Sequence, residues 1–362
     1  MRVVFRADAS LQIGNGHVMR SLTLADALTT YGVECHFICR EHSGNLIELL
    51  RGKGYTVHIL SLGADDTSRE LAHSAWLGAT QAEDVSACRV ILQELGPACL
   101  VVDHYALDEY WESRLRPFCR HLVVIDDLAD RRHDCDLLLD QNLGRLPSDY
   151  LGRVPEACTL LVGPRYALLR PEFAMLRGYS LKRRSQPGLR NLLITMGGVD
   201  QSNVTCQVLE MLKQCAMPEE VRISVVMGPQ APWLAQVREC AQSMPWTTNV
   251  LVNISDMAQC MADSDLVIGA AGSTSWERCC LGVPTLMVVL AENQWPSARA
   301  LQAAQAVELL GDAEVVFRMP YALDRLIAEG ASQRMAQAAA DVTDGQGVGR
   351  VLASLIRLLP DE

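Results

Sequence analysis

The chain has 362 residues, 49% hydrophobic and 21% charged, which suits a globular protein of two ordinary domains. Its formal net charge of -11 excludes a broad nucleic-acid footprint and argues against docking on an anionic membrane, yet leaves room for one phosphate group held by a few local donors. The 13 cysteines form no CxxC pair and read as buried reduced thiols, and the longest apolar run, VPTLMVVLA at 283–291, is too short to span a bilayer, so a cytoplasmic protein is expected.

The first predicted element is the strand RVVFRA at 2–7, with Arg2 and Arg6 inside its pattern rather than ahead of an apolar leader. IGNGHVMRSL follows at 13–22, and helical spacing runs over 18–30. Gly14, Gly16 and His17 therefore sit where a strand hands over to a helix. A tight turn alone accounts for the glycines. They also let a ligand approach the backbone. A helix start disfavours imidazolium, and neutral imidazole is the state a general base needs, so His17 reads either as a base or as a capping and packing residue.

Further apolar runs follow at 34–39 (ECHFIC), 55–60 (YTVHIL), 99–103 (CLVVD), 121–126 (HLVVID) and 136–140 (DLLLD). Several are apolar on consecutive residues, as in strands buried on both faces, and helical spacing separates them, for example at 108–119. This is the pattern of a parallel α/β sheet. VVDHY places Asp103 and His104 at a strand exit, and His42, His104 and His133 are the histidines open to metal ligation; with no HxH or HxxxH pairing, no metal is assigned. Arg170, in GPRYALLRPEF at 163–173, reads either as reaching a ligand or as tying a junction down by an ion pair.

Near residue 180 the texture changes. YSLKRRSQPGLR at 179–190 is basic, polar and broken by Pro187 and Gly188, and reads as a linker. A second strand–helix series begins at 191–196 (NLLITM) and continues at 222–228, 249–253, 265–270 and 284–289, with an amphipathic helix at 347–359. The expected division is an N-terminal Rossmann-like domain over 1–165, a linker over 166–188, a second Rossmann-like domain over 189–345 and a terminal helix over 346–362. The fold class is α/β, with two parallel sheets facing an interdomain cleft and ligands at the carboxyl ends of the strands.

Two glycine loops of the second series match the first in character: Gly197–Gly198, and Gly272 with Ser273 in LVIGAAGSTSWE. Each precedes a helix, where free N–H groups and the dipole favour phosphate. Neither fits GxxxxGK[ST] or the full GxGxxG, so neither ATP nor NAD is assigned and no cofactor is expected. Glu277, a turn into the helix after Gly272, reads as a ligand of ribose hydroxyls or as a first-turn carboxylate stabilised by the dipole. Asn293 and Gln294 follow the strand at 284–289, where amides suit sugar hydroxyls and phosphate oxygens, or where Asn293 caps a helix.

RADASLQIGNGHVMRSLTLADAL, VVDHY, IDDLADRRHDCDLLLDQN, GPRYALLRPEF, ITMGGVDQSNVT and GAAGSTSWERCCLGVPTLMVVLAENQ, in that order from 1 to about 295, resemble the UDP-sugar hydrolases of pseudaminic acid biosynthesis. The resemblance implies a GT-B-like fold and hydrolysis of UDP-2,4-diacetamido-2,4,6-trideoxy-β-L-altropyranose to UDP and the free sugar, without a metal. It implies that His17 is the general base, that UDP is held by Gly197–Gly198, Gly272–Ser273 and Glu277, and that uracil sits against backbone near Ile254 and Met257. Ser21 stands where many relatives are expected to carry cysteine. A monomer with a UDP-sugar as its partner is expected. The rivals are a GT-B glycosyltransferase using a UDP-sugar donor, a UDP-sugar epimerase and a non-catalytic sensor.

Overall fold

The computed structural model describes residues 1–63, 71–186, 188–327 and 331–358; Pro187 and Leu359, read above as parts of the linker and the terminal helix, lie outside them. The chain divides into two compact units, Met1–Leu168 with Gly347–Glu362, and Leu169–Gln346.

The first unit runs β1 (Arg2–Ala7), α1 (Gly16–Thr29), β2 (Glu34–Arg40), α2 (Ile47–Gly52), β3 (Thr56–Leu60), α3 (Gln81–Leu95), β4 (Cys99–Asp103), α4 (Glu109–Leu115), β5 (His121–Ile125), β6 (Leu137–Asp140) and β7 (Thr159–Val162). All pairs are parallel, in the order β3-β2-β1-β4-β5-β6-β7. Alternate strand residues feed two cores. Val3, Phe5, Val101 and Ile125 pack with α1, and Val4, Leu100, Val102 and Val124 pack with Leu92 of α3 and Trp111 of α4. Burial on both faces explains why these strands read as unbroken apolar runs.

The second unit begins with α5 (Pro171–Arg184) and continues β8 (Asn191–Thr195), α6 (Val204–Leu212), β9 (Arg222–Met227), α7 (Leu234–Gln242), β10 (Thr247–Val252), α8 (Met257–Asp263), β11 (Leu266–Ala270), α9 (Thr274–Leu281), β12 (Thr285–Val289), α10 (Trp295–Ala303), β13 (Glu308–Asp312), α11 (Met319–Ile327) and α12 (Ala331–Val342). Its sheet is also parallel, in the order β10-β9-β8-β11-β12-β13. The last helix, α13 (Gly347–Leu358), belongs to the first unit, where Val351, Leu352 and Leu355 enter the core beside α1.

The structure differs from the sequence reading in two respects. Residues 171–184 fall in the expected linker but form a helix packed on α8 and α9. Pro171 opens it with a ring already set for the first turn, and Phe173 and Ser180 are fully buried. Its basic residues point at the ends of neighbouring helices. Arg177 donates to the carbonyls of Cys280, Ala340 and Thr343, and Arg184 to those of Met261 and Ala262. Cations there satisfy the last carbonyls of α8, α9 and α12 and complement their dipoles. The other difference is at the sheet edges, where β7 and β13 add strands that no predicted run covered.

Candidate functional site

In each sheet the strand order reverses once, and loops diverge at that point to leave a crevice outside the carboxyl ends of the strands. In the first sheet the reversal lies between β1 and β4, whose register pairs Ala7 with Asp103. The loop after β1 turns tightly. Gly14, at φ 78°, donates its N–H to Ser10 O at 2.9 Å, and Ser10 Oγ accepts the N–H groups of Gln12 and Ile13. That φ is what requires glycine at 14. Gly16 then opens α1, and His17 is delivered to the end of β4.

His17 Nδ1 lies 2.6 Å from Asp103 Oδ1. Arg20, one turn further along α1, grips the same carboxylate from Nε (2.7 Å) and Nη2 (2.6 Å), and Ser21 Oγ donates to Oδ2 at 3.3 Å. Burial opposes the Asp103 charge, but Arg20 and then His17 outweigh it and hold the carboxyl well below the usual range. Arg20 Nη1 also donates to Asp127, which accepts the Tyr105 hydroxyl at 2.6 Å. The Tyr105 ring stands edge-on to His17, 4.5 Å between centroids at 83°. Trp76 stacks on Tyr105, and His73 stacks on Trp76 and tilts against Tyr105.

Sequence reasoning selected His17 from its loop and gave Asp103 no role. Arg20, Asp127, Tyr105, His73 and Trp76 carried no local signal, apart from the i,i+3 spacing that places Arg20 on the face of His17.

The other strand-exit histidines are bound into buried ion-pair clusters. His104 accepts the Ala106 N–H on Nδ1 and turns Nε2 toward Asp8 Oδ2 at 3.3 Å, and His42 lies 3.7 Å from the same oxygen. His133 sits 2.7 Å from Glu112. Among the described residues no cluster of three His, Cys, Asp or Glu side chains is arranged to hold a metal. Beneath them Arg6 bridges Asp8 and Asp84, and Arg40 and the Trp111 indole also donate to Asp84.

In the second sheet the reversal lies between β8 and β11. The loops leaving these two strands carry Gly197–Gly198 and Gly272–Ser273. Gly197 takes φ 87°, and Gly198 O accepts the Gly228 N–H at 3.1 Å. A Cβ on Gly228 would lie 2.2 Å from that oxygen, so the loops after β8 and β9 meet backbone to backbone. Asp200 closes the first turn of α6 by accepting from Val204 and Thr205. No side chain caps the start of α9. Its Arg278 is fully buried under the loop, donating to Ala270 O and Ser275 Oγ.

Glu277 is recessed beside α5. Burial raises its carboxyl to about 7, against the pull of Arg170, whose Nη2 is 3.9 Å from Oε1. Arg170 makes an ion pair here, and its partner is Glu277. Gln294 accepts the Leu290 N–H at 2.9 Å, and its Nε2 lies 3.9 Å from where a Gly272 Cβ would be. Asn293 lies in the short turn before α10 and does not cap it. Ile254 and Met257 flank the turn from β10 into α8, which Asp256 caps by accepting from Gln259. No helix among the described residues is long and apolar enough to cross a membrane.

Residues 191–347 match the glycosyltransferase family 28 C-terminal domain. Over 298 residues the chain is 26% identical to an uncharacterized protein of Methanocaldococcus jannaschii, covering 81% of this chain and 56% of that one. It is also 26% identical to the UDP-2,4-diacetamido-2,4,6-trideoxy-β-L-altropyranose hydrolase of Campylobacter jejuni, over 82% of this chain and 95% of that one. Among solved structures, MurG of Acinetobacter baumannii superposes with a TM-score of 0.70 at 17% identity, covering 98% of this chain and 99% of that one. The fold is GT-B, with two parallel α/β sheets of seven and six strands.

Proposed function

We propose that this chain hydrolyses a UDP-sugar, UDP-2,4-diacetamido-2,4,6-trideoxy-β-L-altropyranose, to UDP and the free sugar, with His17 as general base. The observation that carries the reading is the buried contact of His17 with Asp103 at a strand exit, in a chain similar along most of its length to a hydrolase of that substrate. His17 takes a proton from water as its oxygen attacks the anomeric carbon. The bond from that carbon to the diphosphate oxygen breaks, the configuration inverts, and the electron pair leaves on UDP. The second unit holds the nucleotide. Gly197–Gly198, Gly272–Ser273 and the uncapped start of α9 supply N–H donors to the diphosphate, where charge grows as the bond breaks. Glu277, steadied by Arg170, accepts from the ribose, Ile254 and Met257 border the uracil, and Asn293 and Gln294 offer amides to sugar and phosphate oxygens. Gly14 and Gly16 leave the approach to His17 free of side chains.

A second reading, a glycosyltransferase using a UDP-sugar donor, is favoured by the family 28 match over 191–347. The two separate when the protein is mixed with the UDP-sugar and excess chelator, with no acceptor, and followed by NMR. Release of UDP and free sugar supports the hydrolase. Inversion at C2 of the sugar marks an epimerase. Intact substrate, consumed only when an acceptor is added, establishes the transferase.

A further inference from the structure

We propose that Asp103 is a positioning residue for His17, its Oδ1 taking the Nδ1 proton of the imidazole so that Nε2 is the nitrogen left to accept a proton from water. The inference rests on His17 being the base. It is carried by a count of donors at one carboxylate. An ionised aspartate only accepts. Asp103 Oδ2 takes Arg20 Nε and the Ser21 hydroxyl, and Oδ1 takes Arg20 Nη2 and, at 2.6 Å, His17 Nδ1. Arg20 has no acceptor to offer and no proton to lose, so the carboxylate it grips stays charged. The proton between Asp103 and His17 is therefore the imidazole's. The opposite tautomer would set a bare Nδ1 against a carboxylate oxygen, two lone pairs 2.6 Å apart, and Arg20 Nη2, 3.3 Å from Nδ1, makes its shorter bond to that same oxygen at 2.6 Å.

The surroundings fix the plane as well as the proton. Two parallel bonds from one guanidinium hold the carboxylate flat. The far side of Arg20 is anchored on Asp127, which also holds the Tyr105 hydroxyl, and Tyr105 lays its ring edge against the imidazole. Asp103 thus reaches the reaction only through His17.

The test combines a spectroscopic and a kinetic measurement on the full chain. With 15N-labelled histidine, long-range proton–nitrogen correlation reads which nitrogen of His17 carries hydrogen, the signal being assigned by its loss in His17→Gln. The expected result is hydrogen on Nδ1 in the native chain, shifting toward Nε2 in Asp103→Asn, whose amide can donate to Nδ1. Asp103→Asn is also expected to lower kcat by about 10²–10⁴-fold with KM nearly unchanged. Hydrogen on Nε2 of the native His17 overturns the proposal, and this result does not depend on the variant folding. An unchanged kcat in folded Asp103→Asn overturns it too. If the native chain shows the Nδ1 tautomer but does not hydrolyse the UDP-sugar, the positioning stands and the functional reading fails.

Discussion

Gly228 donates its N–H to the Gly198 carbonyl at 3.1 Å, and no side chain fits between them, because a Cβ on Gly228 would stand 2.2 Å from that oxygen. Gly228→Ala must push backbone against backbone and displace the loop proposed to meet the diphosphate. The expected cost is about 1–3 kcal/mol of stability in the second unit. UDP affinity should fall by about tenfold or more, which corresponds to roughly 1.4 kcal/mol of lost binding. Calorimetric titration with UDP beside a denaturation curve checks both. Unchanged UDP affinity in a folded variant removes this loop from the nucleotide site.

Glu277 gives a pH dependence. Its carboxyl is raised by burial to about 7, so it is largely protonated below that pH and ionised above it. An ionised carboxylate accepts from two ribose hydroxyls, so binding should strengthen as pH rises through about 7. Uridine is the ligand to titrate, since it carries no phosphate to ionise in the same range. The expected Kd falls between pH 6 and 8 in the native chain and is flat in Glu277→Gln. A flat native profile would falsify the ribose assignment.

Arg6 is fully buried and bonds both Asp8 and Asp84. Arg6→Leu leaves Asp8 without that partner and Asp84 with Arg40, Trp111 and the Cys88 thiol, and is expected to cost about 3–5 kcal/mol in the unfolding of the first unit. Burial works against the Asp84 charge, but Arg6 and Arg40 bring its carboxyl down to about 2. Because the folded value is the lower one, this stabilisation is complete above the unfolded carboxylate range, near pH 4, and is lost as pH falls toward 2. Urea midpoints measured at several pH values check the sign. A destabilisation below about 1 kcal/mol would show that the cluster is dispensable.

The parallel α/β character of both halves was legible because strands such as CLVVD and HLVVI are buried on both faces and read as apolar runs. The edge strands were not. β7 has four residues, and β13 contains Gly311 at φ 120° beside an irregularity in the register of β12. The helix over 171–184 was masked by its own arginines, which look solvated in sequence and instead satisfy helix carbonyls. At the site, His17 showed itself through the glycines before it. Asp103 lies 86 residues away, and only the pairing of β1 with β4, across two intervening strands in the sequence, brings it to the imidazole.

The measurement that tests the account most directly is turnover of the UDP-sugar by the native chain and by His17→Ala at saturating substrate, with UDP binding measured in parallel. The account predicts hydrolysis by the native chain, a fall in kcat of about 10²–10⁴-fold in the variant, and the same UDP affinity in both. A variant that keeps its rate to within about tenfold contradicts the assignment of His17 as the base.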